Sequence, residues 1–315
     1  MSRWTEAEMP DQGGRTVLVT GANSGLGLRS AEALARRGAR VLLACRNPEK
    51  GKEALVAVQA AATGAEPALI SLDLSDLGSV RGCANEVNDS VDRLDVLMNN
   101  AGVMALPERR DGAGREMQFA TNHLGHFALT GLVMPALLRA HASRVVTTSS
   151  QAHRIGRMRW KDLQWEGRYR KWLAYGQSKL SNLLFVFELD RRARKAGAPL
   201  TSVGAHPGYA ATHLQAAGPE MAGSKSMQGL MVVANKVFAQ PDTMGAWPQL
   251  YAATMPDVAG GEYFGPHGMF ESRGHPTRAK PSRAARNAAD AERLWTVSEQ
   301  LTGVSYHLGR APGGA

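Results

Sequence analysis

A chain of 315 residues with 43% apolar and 21% charged residues is too apolar for a disordered polymer and suits one large α/β domain or two small ones. Two cysteines, Cys45 and Cys83, give neither metal-ligand spacing nor a disulfide framework, so a reducing, cytoplasmic setting is expected. The net charge of +9 gathers in two places, 154–171 and 273–286, but no nucleic-acid motif or stacking array of aromatics accompanies it. The expectation is solvated basic loops beside a site that attracts phosphate, with no nucleic-acid partner.

In chain order, strand-like and helix-like runs alternate. The opening 1–14 is polar, has no apolar signal core, and is expected to be flexible. Arg15–Thr20 reads as a strand, Leu26–Arg37 as a helix with Leu28, Ala31, Leu34 and Ala35 on one face, and Arg40–Cys45 as a second strand. Pro48–Ala62 follows as a helix, Ala68–Leu74 as a strand, Leu77–Val91 as a helix and Leu94–Met98 as a strand. Glu116–Ala140 reads as one long helix. It leads to a strand at Arg144–Thr148, a helix at Trp172–Ala196 and a strand at Leu200–Ala205. A last amphipathic helix spans Arg283–Leu301, and 304–315 is expected to be a flexible tail.

Continuous apolar strands alternating with helices predict a parallel sheet covered on both faces. Right-handed crossovers make it doubly wound, a single-domain Rossmann-type α/β fold over 15–303. Ligands of such sheets lie outside the carboxyl ends of the strands, and the chain's motifs fall there. No stretch approaches the ~20 apolar residues of a membrane-spanning helix.

The first strand runs into Thr20-Gly-Ala-Asn-Ser-Gly-Leu-Gly27 and then a helix. Glycine lets backbone approach a phosphate, and a helix N-terminus supplies free N–H groups, so Gly21, Gly25 and Gly27 suggest a dinucleotide site. The second strand ends in Ala44-Cys45-Arg46, with no acid to hold a ribose 2′-hydroxyl; Arg46 favours NADP(H) over NAD(H). Asp73 either accepts from an adenine amino group or caps the helix near Leu77. Asn99-Asn100-Ala101-Gly102 ends the fourth strand with residues small enough for close approach by a cofactor. Tyr175 and Lys179, at i and i+4, share a helix face, where a cation can draw a phenol toward its working range. His123 and His126 lack further partners at ligand spacing, so no metal is expected.

These residues, with Asn122, Ser150 and His206-Pro207-Gly208 in order, resemble the short-chain dehydrogenase/reductases from about Arg15 to Gly208. Within them, Ala44-Cys45-Arg46-Asn47, Phe119-Ala-Thr-Asn122-His-Leu-Gly-His-Phe127 and Leu294-Trp295-x-x-Ser298-Glu-x-Leu-Thr-Gly303 resemble the retinol dehydrogenase/protochlorophyllide reductase-like branch. The resemblance implies hydride exchange between nicotinamide and a carbonyl or alcohol carbon. Tyr175 is then the acid-base group and Lys179 tunes it. Ser150, with Ser149 as its rival, holds the substrate oxygen, and Asn122 carries a water that links Lys179 to solvent. Cofactor contacts are implied for Gly21, Asn23, Ser24, Gly25, Leu26 and Gly27 in the first turn. Arg46, Asp73 and Leu74 belong to the adenosine end, and Asn100, Ala101 and Gly102 to the middle. Tyr175, Lys179, Pro207, Gly208 and Thr212 belong to the nicotinamide end.

The gap from Ser150 to Tyr175 is longer than usual in the superfamily and holds a basic, aromatic insertion from His153 to Trp172. A lid over 209–240, rich in Leu and Met, suits a small hydrophobic carbonyl or alcohol substrate, and the stretch from Met227 to Phe238 equally suits a helix packed on the core. Reduction of a conjugated C=C bond and a non-catalytic NADP-binding scaffold are the alternatives, and the intact set of four argues against the scaffold. By analogy the assembly is a homodimer or homotetramer paired through the helices of Asn122 and Tyr175.

Overall fold

The computed structural model describes residues 3–208 and 242–309. Among the described residues, eight strands form one sheet: β1 (Thr16–Thr20), β2 (Arg40–Cys45), β3 (Ala68–Ser71), β4 (Val96–Asn99), β5 (Ser143–Thr148), β6 (Leu200–Ala205), β7 (Tyr263–Pro266) and β8 (Pro276–Arg278). Their order is β3-β2-β1-β4-β5-β6-β7-β8, parallel except for the antiparallel β7–β8 pair at the edge. The order reverses between β1 and β4, which opens a crevice at their carboxyl ends.

Side chains alternate across the sheet with period two, so each strand feeds two cores. Leu18, Leu42, Leu97 and Val145 pack on one side against α3 (Leu77–Ser90) and α5 (Gly125–Leu132). Val17, Val19, Val41, Leu43, Val96 and Met98 pack on the other against α1 (Gly25–Arg36), α2 (Pro48–Ala61) and α8 (Asp242–Thr254). A third cluster joins Leu180, Leu183 and Leu184 of α7 (Lys171–Ala196) to Leu294 of α9 (Ala288–Thr302) and to Met158, Trp160 and Leu163 of the insertion.

The predicted helix 116–140 is in fact broken. A short α4 (Met117–Phe119) runs into a π-helical turn, Ala120–Leu124, before α5, and Val133 separates α5 from α6 (Met134–Arg139). Pro135, in the first turn of α6, has no N–H to continue the ladder. Gly125 lets the α5 segment press on the exit of β3, where a Cβ would stand 2.2 Å from the Leu74 carbonyl oxygen. β3 ends at Ser71, so Asp73 and Leu74 lie in the loop beyond it.

Segments 1–14 and 304–315 were expected to be flexible, yet they pack on the body where they are described. Trp4 and Met9 are buried, and Trp4 Nε1 meets Met255 Sδ at 3.2 Å. Val304 and Leu308 are buried, and the Tyr306 hydroxyl donates to the Phe127 carbonyl at 2.6 Å. The expected lid, 209–240, and Thr212 lie outside the described residues.

Candidate active site

A cleft of about 540 Å³ opens at the carboxyl ends of the central strands. Its wall begins at the glycine turn. Gly21 and Gly25 adopt left-handed φ of +66° and +51°, which favours glycine at both. At Gly27 a Cβ would stand 2.3 Å from the Gly21 carbonyl oxygen and 2.6 Å from Asn100 Nδ2, so only glycine lets the turn close on itself. Ser24 precedes α1 without capping it by its side chain, and the first turn of α1 carries no acid. By contrast α2, α3 and α9 are capped by Asn47, Asp76 and Asn287. The α1 terminus therefore presents N–H groups and the positive end of its dipole to the cleft, which fits a diphosphate.

The turn is held from behind by a small knot. Thr20 Oγ1 accepts from the N–H groups of Asn100 and Ala101, each at 3.0 Å, and Asn100 Nδ2 donates to the Thr20 carbonyl at 2.8 Å. Gln249 of α8, which no sequence motif marked, ties the knot to the far side of the cleft. Its Nε2 donates to Ser30 Oγ (2.7 Å) and Asn100 Oδ1 (3.1 Å), and its Oε1 accepts from Thr148 Oγ1 (2.9 Å).

At the end beside β2, Arg46 is 72% exposed along its side chain, and its Nη1 stands 4.0 Å from Asp73 Oδ2. The other carboxylate oxygen of Asp73 accepts from Ser75 N (2.9 Å) and Ser75 Oγ (2.6 Å), a local Asx turn. Asn47 and Lys50 also line this end, and no sequence motif marked Lys50. Lys50 sits in the first turn of α2, and its cation adds to that of Arg46 where no acid ends β2.

At the other end, Ser149 and Ser150 part company. Ser149 Oγ is buried and donates to the Lys179 carbonyl (2.8 Å), a bond that anchors α7 to β5. Ser150 begins a short 3-10 turn, Gln151–Arg154; its Oγ accepts from Ala152 N at 3.2 Å, and it lines the cleft with Tyr175. Burial pushes the Tyr175 phenol up to about 12, partly offset by the bond to Ser150. Burial also brings the Lys179 ammonium down to about 8. Lys179 Nζ donates to the Thr148 carbonyl (3.2 Å) and lies 5.9 Å from the centre of the Tyr175 ring. Desolvation dominates at the Tyr175 phenol in this structure.

Asn122 lies in the π turn, fully buried behind the cleft and not on its surface. Its Oδ1 accepts from Val103 N (2.7 Å), and its Nδ2 donates to the Val103 carbonyl (2.9 Å) and to Ser178 Oγ (2.9 Å). The side-chain amide is committed to protein partners, so a water relay at this residue would have to use backbone. Gly102 lies between it and Lys179: a Cβ there would stand 3.0 Å from Asn122 Oδ1 and 3.4 Å from Lys179 Nζ. Every cleft residue proposed from sequence lines the cavity, apart from buried Asn122 and undescribed Thr212. Val103, Met104 and Trp172 join them, with Trp172 edge-on to Tyr175 at 6.3 Å. His126 meets Thr20 Oγ1 at 2.9 Å and His123 meets Ser298 Oγ at 2.9 Å; burial drives both imidazoles neutral, toward about 4 and about 3.

Residues 15–222 match the short chain dehydrogenase family. The chain is 38% identical to mouse retinol dehydrogenase 12 over 304 residues, covering 96% of this chain and 90% of the relative. It is 38% identical to human retinol dehydrogenase 11 over 294 residues, 92% and 86% of the two. A crystal structure of an uncharacterized protein from Mycobacterium paratuberculosis superposes with a TM-score of 0.78 at 43% identity, covering 97% of this chain and all of that one. A short chain dehydrogenase from Shigella flexneri complexed with NADP shares the fold, with a TM-score of 0.62 at 24% identity over 81% of this chain and 98% of its own. With this fold, this cleft and these relatives, the chain belongs to the short chain dehydrogenase family, in its retinol dehydrogenase-like branch, and is a nicotinamide-dependent oxidoreductase of alcohol and carbonyl groups.

Proposed function

We infer that the cleft takes NADP(H) and that Ser150 and Tyr175, supported by Lys179 and Asn122, interconvert a carbonyl and an alcohol on an apolar substrate. The observation that carries this is that Ser150, buried Tyr175 and Lys179 line one cleft together with the glycine turn, while the neighbouring Ser149 Oγ is spent on the α7 backbone. The glycine turn and the uncapped N-terminus of α1 would hold the diphosphate. Arg46 and Lys50, with no acid ending β2, support a 2′-phosphate at the ribose end. When bound, the nicotinamide supplies or accepts the hydride.

The protein's own part is to handle the oxygen and its proton. Ser150 Oγ and the Tyr175 hydroxyl would grip the substrate oxygen together, a preorganised site for developing negative charge. Burial keeps the Tyr175 phenol protonated at neutral pH, so it would donate to the oxygen in carbonyl reduction and accept a proton in alcohol oxidation. Lys179, near 8, exchanges protons close to neutrality one helical turn away. Asn122, gripping Val103 and Ser178, fixes the loop after β4 against α7 and so keeps this geometry. Val103, Met104 and Trp172 give the Tyr175 end an apolar lining, and relatives named retinol dehydrogenases support an apolar alcohol or aldehyde as substrate. The two free, buried cysteines support a cytoplasmic location.

The test is a screen of apolar aldehydes and ketones with NADPH and NADH in parallel, followed by Tyr175→Phe. Wild type should consume NADPH in preference to NADH. The variant should lose about 10²–10⁴-fold in kcat, the span of a general acid, while still binding NADPH by fluorescence titration. A Tyr175→Phe protein with wild-type turnover would remove the assignment.

A further inference from the structure

We propose that Glu271 is a positioning residue: from the turn between β7 and β8, its carboxylate clamps the Ser150 turn to the His206-Pro207-Gly208 segment. This rests on the reading of Ser150 and Tyr175 given above, and it extends the site to a residue from a strand pair that no motif covers.

The geometry is specific. The Glu271 carboxylate accepts from His206 Nε2 at 3.0 Å and from Gln151 Nε2, and Arg154 Nη2 approaches it at 3.6 Å. Gln151 and Arg154 belong to the 3-10 turn that begins at Ser150. On the other side, His206 is buried, and its Nδ1 accepts from Gly208 N at 3.2 Å. With Nδ1 an acceptor, Nε2 carries the proton and donates to Glu271. One carboxylate therefore spans the two segments that line the nicotinamide end of the cleft, one after β5 and one after β6. The fit leaves no slack. A Cβ on Gly265 would stand 1.9 Å from His206 Nε2, and one on Gly208 would stand 2.4 Å from the Ser272 carbonyl oxygen.

The turn itself is built against local preference. Phe270 and Glu271 both adopt left-handed φ, +55° and +53°, a rare pair for non-glycine residues. Burial of apolar side chains does not account for it, because Met269 and Phe270 are 78% and 87% exposed. What the conformation achieves is to turn the Glu271 carboxylate inward. The close contact with His206 also holds that carboxyl well below its usual range.

In the reaction, Ser150 fixes the substrate oxygen and the segment at Pro207-Gly208 borders the nicotinamide end. A clamp between them sets the spacing of the reacting groups, to which rate is steeply sensitive. Its removal should lower kcat more than it changes the KM for the carbonyl substrate. Glu271→Gln keeps the length and an oxygen acceptor for His206 Nε2, so it should restore function that Glu271→Ala loses.

The experiment compares wild type, Glu271→Ala, Glu271→Gln and Tyr175→Phe. It measures hydrogen exchange over 150–156 and 204–208, together with kcat and KM for NADPH-dependent reduction of the aldehyde that wild type reduces best. The clamp predicts faster exchange in both segments of Glu271→Ala. It also predicts a kcat lowered about tenfold or more with KM moved less than about threefold, and Glu271→Gln within about threefold of wild type on both readouts. Unchanged exchange in either segment of Glu271→Ala, or a kcat within about twofold of wild type, overturns the proposal. Because exchange needs no turnover, an active Tyr175→Phe protein would discredit the catalytic assignment while leaving the clamp to be decided by exchange.

Discussion

Gln249→Ala should cost stability and cofactor affinity together. The side chain is 3% exposed and bridges three elements: Ser30 on α1, Asn100 after β4 and Thr148 at the end of β5. Truncation strands the polar atoms of buried Ser30 and Thr148, whereas Asn100, half-buried at the cleft, can turn to water. An unsatisfied buried group costs about 1–3 kcal/mol, so two of them with the lost packing give roughly 3–4 kcal/mol. At about 2.1 cal/mol/K per residue, a chain this long unfolds with an entropy near 0.66 kcal/mol/K, so Tm should fall by about 5 °C. The Thr148 carbonyl also accepts from Lys179 Nζ and from Asn182 Nδ2 at 3.0 Å, so disorder at Thr148 should reach Lys179. The assay pairs calorimetry with NADPH titration, using Gln249→Met to keep the volume and lose only the hydrogen bonds. A Gln249→Met protein within about 0.5 kcal/mol of wild type would refute the argument that these bonds hold the cleft together.

Other outcomes follow from the same geometry. Phe270→Gly should stabilise by about 0.5–1 kcal/mol, because relief of a left-handed residue outweighs the extra backbone entropy of glycine and an exposed side chain gives up little burial; a lower denaturant midpoint would contradict this. Glu271, held down to about 2 mainly by His206, with Gln151 and Arg154 also facing it, favours the folded state at any pH above its unfolded value of 4.5. The stability advantage of wild type over Glu271→Gln should therefore be flat above 4.5 and shrink as pH falls from 4.5 toward 2; an advantage that grows on acidification would reverse the sign. Light scattering should give two or four times the 33.7 kDa mass of one chain, as the homodimer or homotetramer suggested by analogy requires; the mass of a single chain would refute it.

Much of this was legible because it depends on local chemistry. Short continuous apolar runs and the glycines at 21, 25 and 27 answer to backbone rules that act within a few residues, and Tyr175 and Lys179 share a helix face for the same reason. What escaped depends on distant partners. Gln249 is one polar residue in an ordinary helix, and only the fold brings Asn100 and Thr148 to it. Glu271 lies beside β7 and β8, strands of four and three residues that contain Gly265, Pro266 and Pro276, too short and too interrupted to show alternation. The break at Asn122 was hidden because one wide π turn leaves helical composition unchanged. The ends of the described chain looked polar and were read as loose, but single aromatics, Trp4 and Tyr306, fasten them.

The seat of Tyr306 has a consequence for how the chain is made. Phe127 and Phe185 form an aromatic nest with Trp295 and Tyr306; the Trp295 ring stacks on Phe185 at 6.0 Å, and Tyr306 closes on Trp295 at 4.5 Å. From Phe185 to Tyr306 the ribosome adds 121 residues (306 minus 185). At about 5–20 residues per second, that is about 6–24 s in which the phenyl rings of α5 and α7 lack the cover of Tyr306. The sheet can assemble in that interval, but one side of it must wait with greasy rings open to water. Nascent chains stalled before residue 295 should therefore be the ones that chaperones hold.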